Sequence, residues 1–260
     1  MPEVREQTAP REGQARRATV VVVMPAHNAA RTLERTIAGI SRDWVDHIIL
    51  VDDKSTDNTL ELARGLPIQV IWHPHNVGYG GNQKTCYLEA LQQDFDVIVM
   101  LHPDGQYEPT LIPSLVEPIV NGDADLVLGS RLAEPGMARE GGMPLYKYVA
   151  NRFLTAIENR VLGTDLTELH SGYRAYSKEL IRTVPFLRNS LDFSFDSELL
   201  MQAAHFGFRI VEVPARSYYF DDASSISVGP ATVYGLKTLW AGARLVLHRR
   251  RILRSRKYVP

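Results

Sequence analysis

Short apolar runs alternate with helical patterns along the first half of the 260-residue chain, and this alternation constrains the fold more than any other feature. The run from Thr19 to Met24 has no polar interruption, as expected for a strand buried on both faces of a sheet. Similar runs follow at 47–51, 68–72, 97–101 and 124–129. Helical patterns separate them at 32–40, 59–64, 83–93 and 111–120. This order predicts an α/β fold, with a mostly parallel sheet flanked by helices.

The second half of the chain has a looser pattern. Residues 133–142 combine Pro, Gly and charged side chains, which predicts a mobile loop. Helices are predicted at 145–162 and 195–206, and a late strand is predicted at 209–213. No internal repeat or low-complexity linker divides the chain, so we expect one domain. The predicted parts are a disordered segment over 1–18, a folded domain over 19–230 and a basic amphipathic C-terminal helix and tail over 231–260.

Composition narrows the classes of function. The net charge is −1, so no overall positive field favours nucleic acid, and no nucleic-acid partner is expected. The single cysteine, Cys86, excludes a disulfide framework and fits a reducing compartment. No apolar stretch approaches the roughly 20 residues that span a bilayer, and the N-terminus lacks an apolar signal core. These features predict a cytoplasmic protein.

The C-terminal segment carries an uneven charge. Seven Arg or Lys residues lie between Arg244 and Lys257, where they interleave with apolar residues, and Trp240 precedes them. A basic helix with apolar residues and a Trp predicts peripheral attachment to an anionic membrane surface. The alternative is a solvated helix with a charged tail.

Four polar motifs stand near the ends of predicted strands, where parallel α/β sheets bind their ligands. They occupy residues 24–28, 51–59, 76–84 and 101–106. In the first, His27 could stack on a base, whereas the alternative is a plain strand exit with Asn28 as a helix cap. In the second, Asp52 and Asp53 could accept hydrogen bonds from a ribose or a base edge. Adjacent like charges at the rim of a sheet favour a bound partner.

The third motif is rich in glycine. Its glycines let the backbone approach a ligand closely, and Lys84 could face a phosphate. The alternative is a flexible strand–helix turn.

The fourth motif offers ligands for a cation. Asp104 and Gln106 supply hard oxygens, and His102 supplies a nitrogen or a hydrogen bond. Mg²⁺ or Mn²⁺ takes such carboxylates together with phosphate oxygens, and it can neutralise a leaving diphosphate. The alternative is a simple turn, because Pro-Asp-Gly favours a turn by itself.

Together these motifs resemble the nucleotide-sugar half of the family 2 glycosyltransferases of GT-A (Rossmann-like) fold. The resemblance rests on Pro25–Asn28, Val51–Asp57, Asn76–Gly81 and Asp104–Gln106, in this order, and covers about residues 19–131. Within the family the chain looks most like the dolichyl- or polyprenyl-phosphate sugar synthases. That further likeness rests on Gly129–Arg131, His170–Arg174 and Glu212–Pro214.

The resemblance implies roles for individual residues. The donor nucleotide sugar, a UDP- or GDP-sugar, is expected to lie against Pro25, His27, Val51 and Asp53. The motifs themselves add Lys84 and His102 to the expected donor site. Asp104 and Gln106 are expected to bind Mg²⁺ or Mn²⁺. Ser171 and Arg174 are expected to bind the acceptor phosphate, and Asp104, Arg131 and Arg174 to be catalytic. Guanidinium groups suit these roles because they bind phosphate bidentately. The alternative for Arg131 and Arg174 is ordinary surface ion pairing.

The implied activity is inverting, metal-dependent transfer of a sugar to a polyprenyl phosphate. The phosphate oxygen of that acceptor is already anionic and needs no general base. An alcohol acceptor would need one, and Asp196 and Glu198 are the candidates, although the exposed first turn of a helix explains both acids better. Two alternatives stay open: the same fold acting on a soluble acceptor, and a non-catalytic nucleotide-sugar binder.

Overall fold

The computed structural model describes residues 17–219 and 228–259, which form one seven-stranded sheet with helices on both faces. The strands are β1 (Val20–Ala26), β2 (His47–Asp52), β3 (Gln69–Trp72), β4 (Val97–Met100), β5 (Leu126–Ser130), β6 (Arg174–Ser177) and β7 (Ile210–Pro214). Their order across the sheet is β3-β2-β1-β4-β6-β5-β7. Every pairing is parallel except those of β6, which runs antiparallel to β4 and β5. The predicted α/β single domain is confirmed.

Helices fill the intervals between the strands and follow the last one. They are α1 (Leu33–Ala38), α2 (Thr59–Arg64), α3 (Tyr79–Gln92), α4 (Ile112–Val120), α5 (Met137–Glu140), α6 (Leu145–Leu162), α7 (Lys178–Thr183), α8 (Phe195–His205) and α9 (Val228–Arg249). Within 17–219 and 228–259, no helix combines the length and apolar character needed to cross a membrane.

The core has two layers, one on each face of the sheet. Because side chains alternate along a strand, Val21 and Val23 of β1 join the layer under α3, α8 and α9. Val22 and Met24 join the opposite layer, under α1 and α4. Strands β1 and β4 lie in the centre of the sheet and contribute side chains to both layers. Because both faces of these strands are buried, their sequences are continuously apolar.

Three local predictions differ from the structure. Strand β6 and helix α7 were not predicted, because Arg174–Ser177 contains too few apolar residues to indicate a strand. Helix α3 begins at Tyr79 and includes two of the glycines that were expected to form a loop. Residues 137–140, expected to lie in a mobile loop, form helix α5.

Both chain ends bear on the predicted boundaries. Most of the segment predicted to be disordered, residues 1–16, lies outside the described residues, whereas Arg17 pairs with Asp46 at 2.6 Å. At the other end, the segment after α9 turns back onto the body of the protein. Tyr258 is buried there, and its hydroxyl donates to the Ala241 carbonyl oxygen at 3.3 Å. The basic tail is therefore partly packed rather than wholly solvated.

Candidate active site

The predicted site residues gather at one edge of the sheet. Strands β1, β2, β4 and β5 end there, and the antiparallel β6 begins there, so residues from five strands share this edge. The motifs following these strands contribute His27, Asp53, Asp104 and Arg131, and the segment before β6 contributes Ser171.

Asp53 holds together the part of this edge at which the nucleotide is predicted to bind. Its side chain is 4% exposed, and its carboxylate accepts hydrogen bonds from the backbone N–H groups of Val77 (2.8 Å) and Gly78 (3.1 Å). His73 Nδ1 also donates to it, at 3.0 Å. The carboxylate thus holds the 76–78 segment against the end of β2. The neighbouring Asp52 is also buried, and within the described residues its Oδ1 has no hydrogen-bond partner.

The other predicted nucleotide contacts differ in their accessibility. The exposed His27 ring is held by a 2.9 Å hydrogen bond from Nδ1 to the Asp53 carbonyl oxygen. Pro25 and Val51 are buried neighbours in the β1–β2 register. Because the Val51 side chain belongs to the core, it can only shape the floor of the site.

His102 belongs to a chain of three side chains at the end of β4. Its ring stacks on Tyr79, with the centroids 5.4 Å apart, and its Nε2 lies 3.3 Å from the Tyr79 hydroxyl oxygen. The Tyr79 hydroxyl in turn donates to Asp196 at 2.6 Å. Gly172 lies close to both rings, because an added Cβ would come 3.2 Å from His102 Nε2 and 3.7 Å from the Tyr79 hydroxyl oxygen. The imidazole is therefore held within the protein by its neighbours.

Asp104 has the strongest case as a cation ligand. One of its oxygens accepts the backbone N–H of Gln106 at 3.0 Å, and burial raises the pKa of its carboxyl group, an effect that His102 partly opposes. Gln106 is buried beside it. Within the described residues no cluster of three or more His, Cys, Asp and Glu side chains could hold a metal ion alone. One carboxylate and one amide fit Mg²⁺ or Mn²⁺ only if diphosphate oxygens complete the shell, which is the usual arrangement for Mg²⁺.

Arg131 and Glu168 form a buried ion pair at the end of β5. Arg131 donates to the carboxylate from Nε at 2.8 Å, from Nη2 and from its backbone N–H at 2.7 Å. Asn151 of α6 donates to the same carboxylate at 2.7 Å, and Arg131 Nη1 donates to the Tyr219 hydroxyl at 2.6 Å. Burial alone would lower the pKa of Arg131, but Glu168 raises it, so the guanidinium stays charged.

Two residues expected to bind the acceptor phosphate lie beneath the surface. Arg174 is 1% exposed, and it donates to the carbonyl oxygens of Ser171 (2.7 Å), Asp196 (3.1 Å) and Leu169 (3.2 Å). The Ser171 side chain is fully buried, with its Oγ 3.1 Å from the Tyr107 hydroxyl. In this structure Arg174 supports the 169–171 segment from below and presents no donor to the surface.

The glycine-rich segment meets protein rather than open space. A Cβ on Gly80 would lie 2.4 Å from the Ser190 carbonyl oxygen, and the Gly80 N–H donates to the Leu191 carbonyl oxygen at 2.8 Å. The Lys84 ammonium donates to the Asn189 carbonyl oxygen and lies 6.0 Å from the Phe195 ring centroid. Gly80 and Lys84 therefore hold the 189–195 segment against α3. Because its ammonium group is bound to that segment, Lys84 is not proposed as a phosphate ligand.

Asp196 and Glu198 differ from the exposed first turn that the sequence favoured. Both are buried. Asp196 accepts from Tyr79 and, at 3.2 Å, from Gln83, while Glu198 accepts the Ser190 N–H at 2.7 Å and pairs with Lys257. The interpretation of these acids as solvent-exposed helix-end charges was wrong.

Sequence reasoning missed three residues that hold the site together. Glu168 and Tyr79 are separated in the chain from the residues they fix, and His73 stands outside every motif. A single acid, tyrosine or histidine that belongs to no repeating pattern gives no periodic signal. Of the three, Tyr79 alone lies inside a motif, the glycine-rich one, and the composition of that motif points to its glycines and not to Tyr79.

A sequence model of the family described as Glycosyl transferase family 2 matches residues 21–184. The UDP-N-acetylglucosamine–dolichyl-phosphate N-acetylglucosaminyltransferase of Methanococcus voltae is 28% identical, over 85% of this chain and 93% of that protein. The undecaprenyl-phosphate mannosyltransferase of Micrococcus luteus is 29% identical, over 86% of this chain and 97% of that protein.

A similar solved structure is that of glucosyl-3-phosphoglycerate synthase from Mycobacterium tuberculosis in complex with Mn²⁺, UDP and phosphoglyceric acid. Its TM-score is 0.64 at 21% identity, over 92% of this chain and 80% of that one. This likeness confirms the predicted GT-A fold. The chain is similar to polyprenyl-phosphate sugar synthases. The family match covers well over half of the chain, so the protein is a glycosyltransferase that belongs to family 2.

Proposed function

We propose that the protein transfers a sugar from a UDP- or GDP-sugar to a polyprenyl phosphate, with inversion at the anomeric carbon. Two similar proteins, one named for dolichyl phosphate and the other for undecaprenyl phosphate, support this class of acceptor. The observation that carries the proposal is the position of α6. On the inner side of α6, Asn151 donates to Glu168, which pairs with Arg131. On its outer side, α6 exposes apolar residues.

The donor is proposed to lie along the ends of β1 and β2. The exposed His27 ring would contact the base, and Asp53 would hold the segments around it in place. Mg²⁺ or Mn²⁺ would be held by Asp104 and Gln106, where it would neutralise charge on the diphosphate. Similar structures containing UDP with Mn²⁺ or Mg²⁺ support this choice of ion.

The acceptor phosphate is proposed to bind at Arg131. In the transfer, an acceptor phosphate oxygen forms a bond to the anomeric carbon from the face opposite the diphosphate. The bond from that carbon to the diphosphate oxygen breaks, and the nucleoside diphosphate leaves. No proton has to be removed from the acceptor. A reaction that needs no general base suits the structure, because protein donors already bind the two candidate bases, Asp196 and Glu198. Arg174 is proposed as a positioning residue for Ser171 and Asp196.

A lipid acceptor also explains an exposed apolar surface, which we call the α6–α9 face. It comprises Leu145, Val149, Phe153, Val233, Leu236 and Trp240. Helices α6 and α9 approach each other at Leu154 and Gly235, and the sequence neighbours Phe153 and Leu236 are 62% and 64% exposed. Exposed apolar side chains on two neighbouring helices are typical of an interaction site. We propose that this face lies on the membrane that carries the polyprenyl phosphate, so that attachment is peripheral.

Two measurements test the proposed function. The first is a thermal-shift series with UDP, GDP, CDP and dTDP, each with and without Mn²⁺. A diphosphate present at about 100 times its dissociation constant stabilises a fold by about 2.7 kcal/mol. A metal-dependent shift with UDP or GDP is expected, and the absence of any shift at millimolar concentrations contradicts the proposed donor site.

The second measurement compares acceptors. Transfer of radiolabelled sugar is followed with a polyprenyl phosphate, with the corresponding polyprenol and with soluble phosphorylated acceptors such as phosphoglyceric acid. We expect transfer only to the polyprenyl phosphate, with product of inverted anomeric configuration. Preference for a soluble acceptor would replace the lipid proposal, and transfer to the alcohol would require a base that this arrangement does not provide.

A further inference from the structure

A second candidate binding site lies between α9 and the C-terminal tail. A cavity of about 490 Å³ lies there, wide open to solvent, and five of its lining residues are cationic: Arg188, Arg244, Arg254, Arg256 and Lys257. Its volume is within the range of small-molecule sites. No carboxylate lines it among the residues that the structure describes.

The positive charge of this basic cavity is only partly compensated. Glu198, beneath it, forms an ion pair with Lys257 and lies 3.8 Å from Arg244. Arg188 donates to two backbone carbonyl oxygens, those of Arg256 and Val259, which carry no full charge. Across 17–219 and 228–259, no carboxylate forms an ion pair with Arg254 or Arg256.

In the part of the chain that the structure describes, five cations share this cavity with one carboxylate, and they repel one another. Burial lowers the pKa of Lys257, and Arg244 lowers it further, against the opposing effect of Glu198. The fold nevertheless keeps these groups together, because Tyr258 is buried and anchors the tail. A bound anion would relieve the repulsion. Guanidinium groups bind phosphate oxygens through paired hydrogen bonds, so a phosphate-bearing anion matches this lining best.

A series of contacts through Glu198 and the 190–191 segment links the basic cavity to the start of α3, beside the candidate active site. Glu198, which pairs with Lys257, accepts the backbone N–H of Ser190 at 2.7 Å. The Ser190 and Leu191 carbonyl oxygens in turn lie against Gly80 and Gly78 at the start of α3. Lys84 of α3 also interacts electrostatically with the cavity. Burial lowers the pKa of Lys84, and the charge of Lys257, which lines the cavity, lowers it further. An anion that holds the tail would therefore also bear on the segment supporting the nucleotide site.

We propose that the basic cavity is an anion-binding site for a phosphate group, separate from the donor and acceptor sites, and that its occupancy secures the C-terminal tail. The phosphate belongs either to a small soluble molecule or to an anionic lipid headgroup. The exposed Ile252 and Leu253 beside it are compatible with a lipid surface. This inference does not depend on the proposed acceptor.

Binding can be measured without turnover. Trp240 lies 5.6 Å from the guanidinium of Arg244, so its fluorescence reports on the cavity. Inorganic pyrophosphate is titrated in EDTA, which removes divalent cations and so suppresses pyrophosphate binding at Asp104. The test variant is Arg254→Gln with Arg256→Gln. The matched control is Arg250→Gln with Arg251→Gln, which removes the same charge from exposed residues of the same segment that do not line the cavity.

The same variants are tested on vesicles of phosphatidylglycerol and phosphatidylcholine to distinguish the two sources of phosphate. If the ligand is soluble, pyrophosphate affinity falls by about tenfold or more in the test variant and by much less in the control. If the ligand is a lipid headgroup, that difference appears in vesicle binding instead. Equal behaviour of the two variants in both assays, with unchanged melting temperatures, would overturn the proposal. A failure of sugar transfer would leave these results untouched.

Discussion

The hydroxyl of Tyr79 donates a 2.6 Å hydrogen bond to the carboxylate of Asp196, across 117 residues of sequence. The same tyrosine ring stacks on His102, at the end of β4. Burial raises the pKa of Tyr79, and the charge of Asp196 raises it further, so the phenol remains a hydrogen-bond donor at neutral pH. These contacts of Tyr79 join the end of β4 to the first turn of α8.

Replacing Tyr79 by Phe should destabilise the protein. The variant leaves one oxygen of the buried Asp196 carboxylate without its donor, and a hydrogen bond to a charged group contributes about 1.5–3 kcal/mol. Urea denaturation should show this loss in the free energy of unfolding. Tyr148→Phe is the matched control, because that ring is partly exposed on α6, and it should change stability little. Equal stability of the two variants would contradict the role given to Tyr79.

Replacing Asp104 by Asn should abolish turnover and preserve the fold. Losing the ligand of a catalytic cation removes several kcal/mol of transition-state stabilisation, so kcat should fall by about 10²–10⁴-fold. His102→Ala should reduce activity less, because imidazole is a poor ligand for Mg²⁺. Steady-state kinetics and melting temperatures decide between these outcomes, and the reverse ranking would contradict the assignment of the cation site.

The cation should bind more weakly as the pH is lowered. Burial raises the pKa of Asp104, so a proton competes with the cation at a higher pH than it would at an exposed carboxylate. Below that pKa, the apparent affinity for Mn²⁺ in the presence of UDP should fall by about tenfold per pH unit. Calorimetric titration from neutral pH downward measures this dependence. An affinity that stays constant through the titration range of carboxyl groups would exclude Asp104 as the ligand.

Breaking the Arg131–Glu168 pair should affect stability and activity separately. Arg131→Gln leaves the Glu168 carboxylate buried without its cation, which costs about 3–5 kcal/mol. Adding Glu168→Gln should restore much of the stability and none of the transfer to a phosphate acceptor. The exposed pair Arg216–Glu140 provides the control, and Arg216→Gln should cost about 1 kcal/mol or less. Recovery of activity in the double variant would show that Arg131 only supports the fold.

Charges on the α6–α9 face should weaken membrane binding. Phe153→Glu and Leu236→Glu each remove an exposed apolar side chain that would insert at a bilayer surface, a contribution of about 1.5–3 kcal/mol. Both should reduce sedimentation with vesicles and activity on membrane-embedded acceptor, while sparing a short water-soluble analogue. Val120→Glu is the control, because Val120 is 50% exposed on α4. These point changes are cleaner than deleting residues 244–260, which would also remove the buried Leu245 and Tyr258.

Stability should decline above neutral pH through His170. Burial lowers the pKa of this imidazole, but Tyr234 and Glu158 raise it more, to about 10. Because the folded-state pKa exceeds the unfolded value, the stabilisation is complete below the unfolded pKa of 6.5 and is lost as the pH rises through the folded one. The loss should be on the order of 1 kcal/mol per pH unit in that window. His170→Gln should show a flatter stability curve between pH 7 and 10, and an identical curve would contradict this origin.

The amino-acid sequence alone determined the central part of the sheet. Strands β1, β2 and β4 have continuous apolar sequences because both their faces are buried, and Asp53 and Asp104 follow directly where these strands end. Local residue order was therefore sufficient to predict the α/β fold and to place Asp53 and Asp104 at the same edge of the sheet. The helix Leu145–Leu162 was also predicted with its observed bounds, because its pattern is long and uninterrupted.

Only the tertiary structure decided which partner each polar residue meets. Arg174 and Arg131 look equivalent in sequence, yet one lies under the site on an antiparallel strand while the other faces Glu168 and Tyr219. The glycines at 78 and 80 were read as a ligand cradle, but the 189–191 segment occupies the space beside them. Such contacts join residues far apart in the chain. They depend on how β6, α8 and the C-terminal tail fold back, and no local pattern of hydrophobicity encodes that geometry.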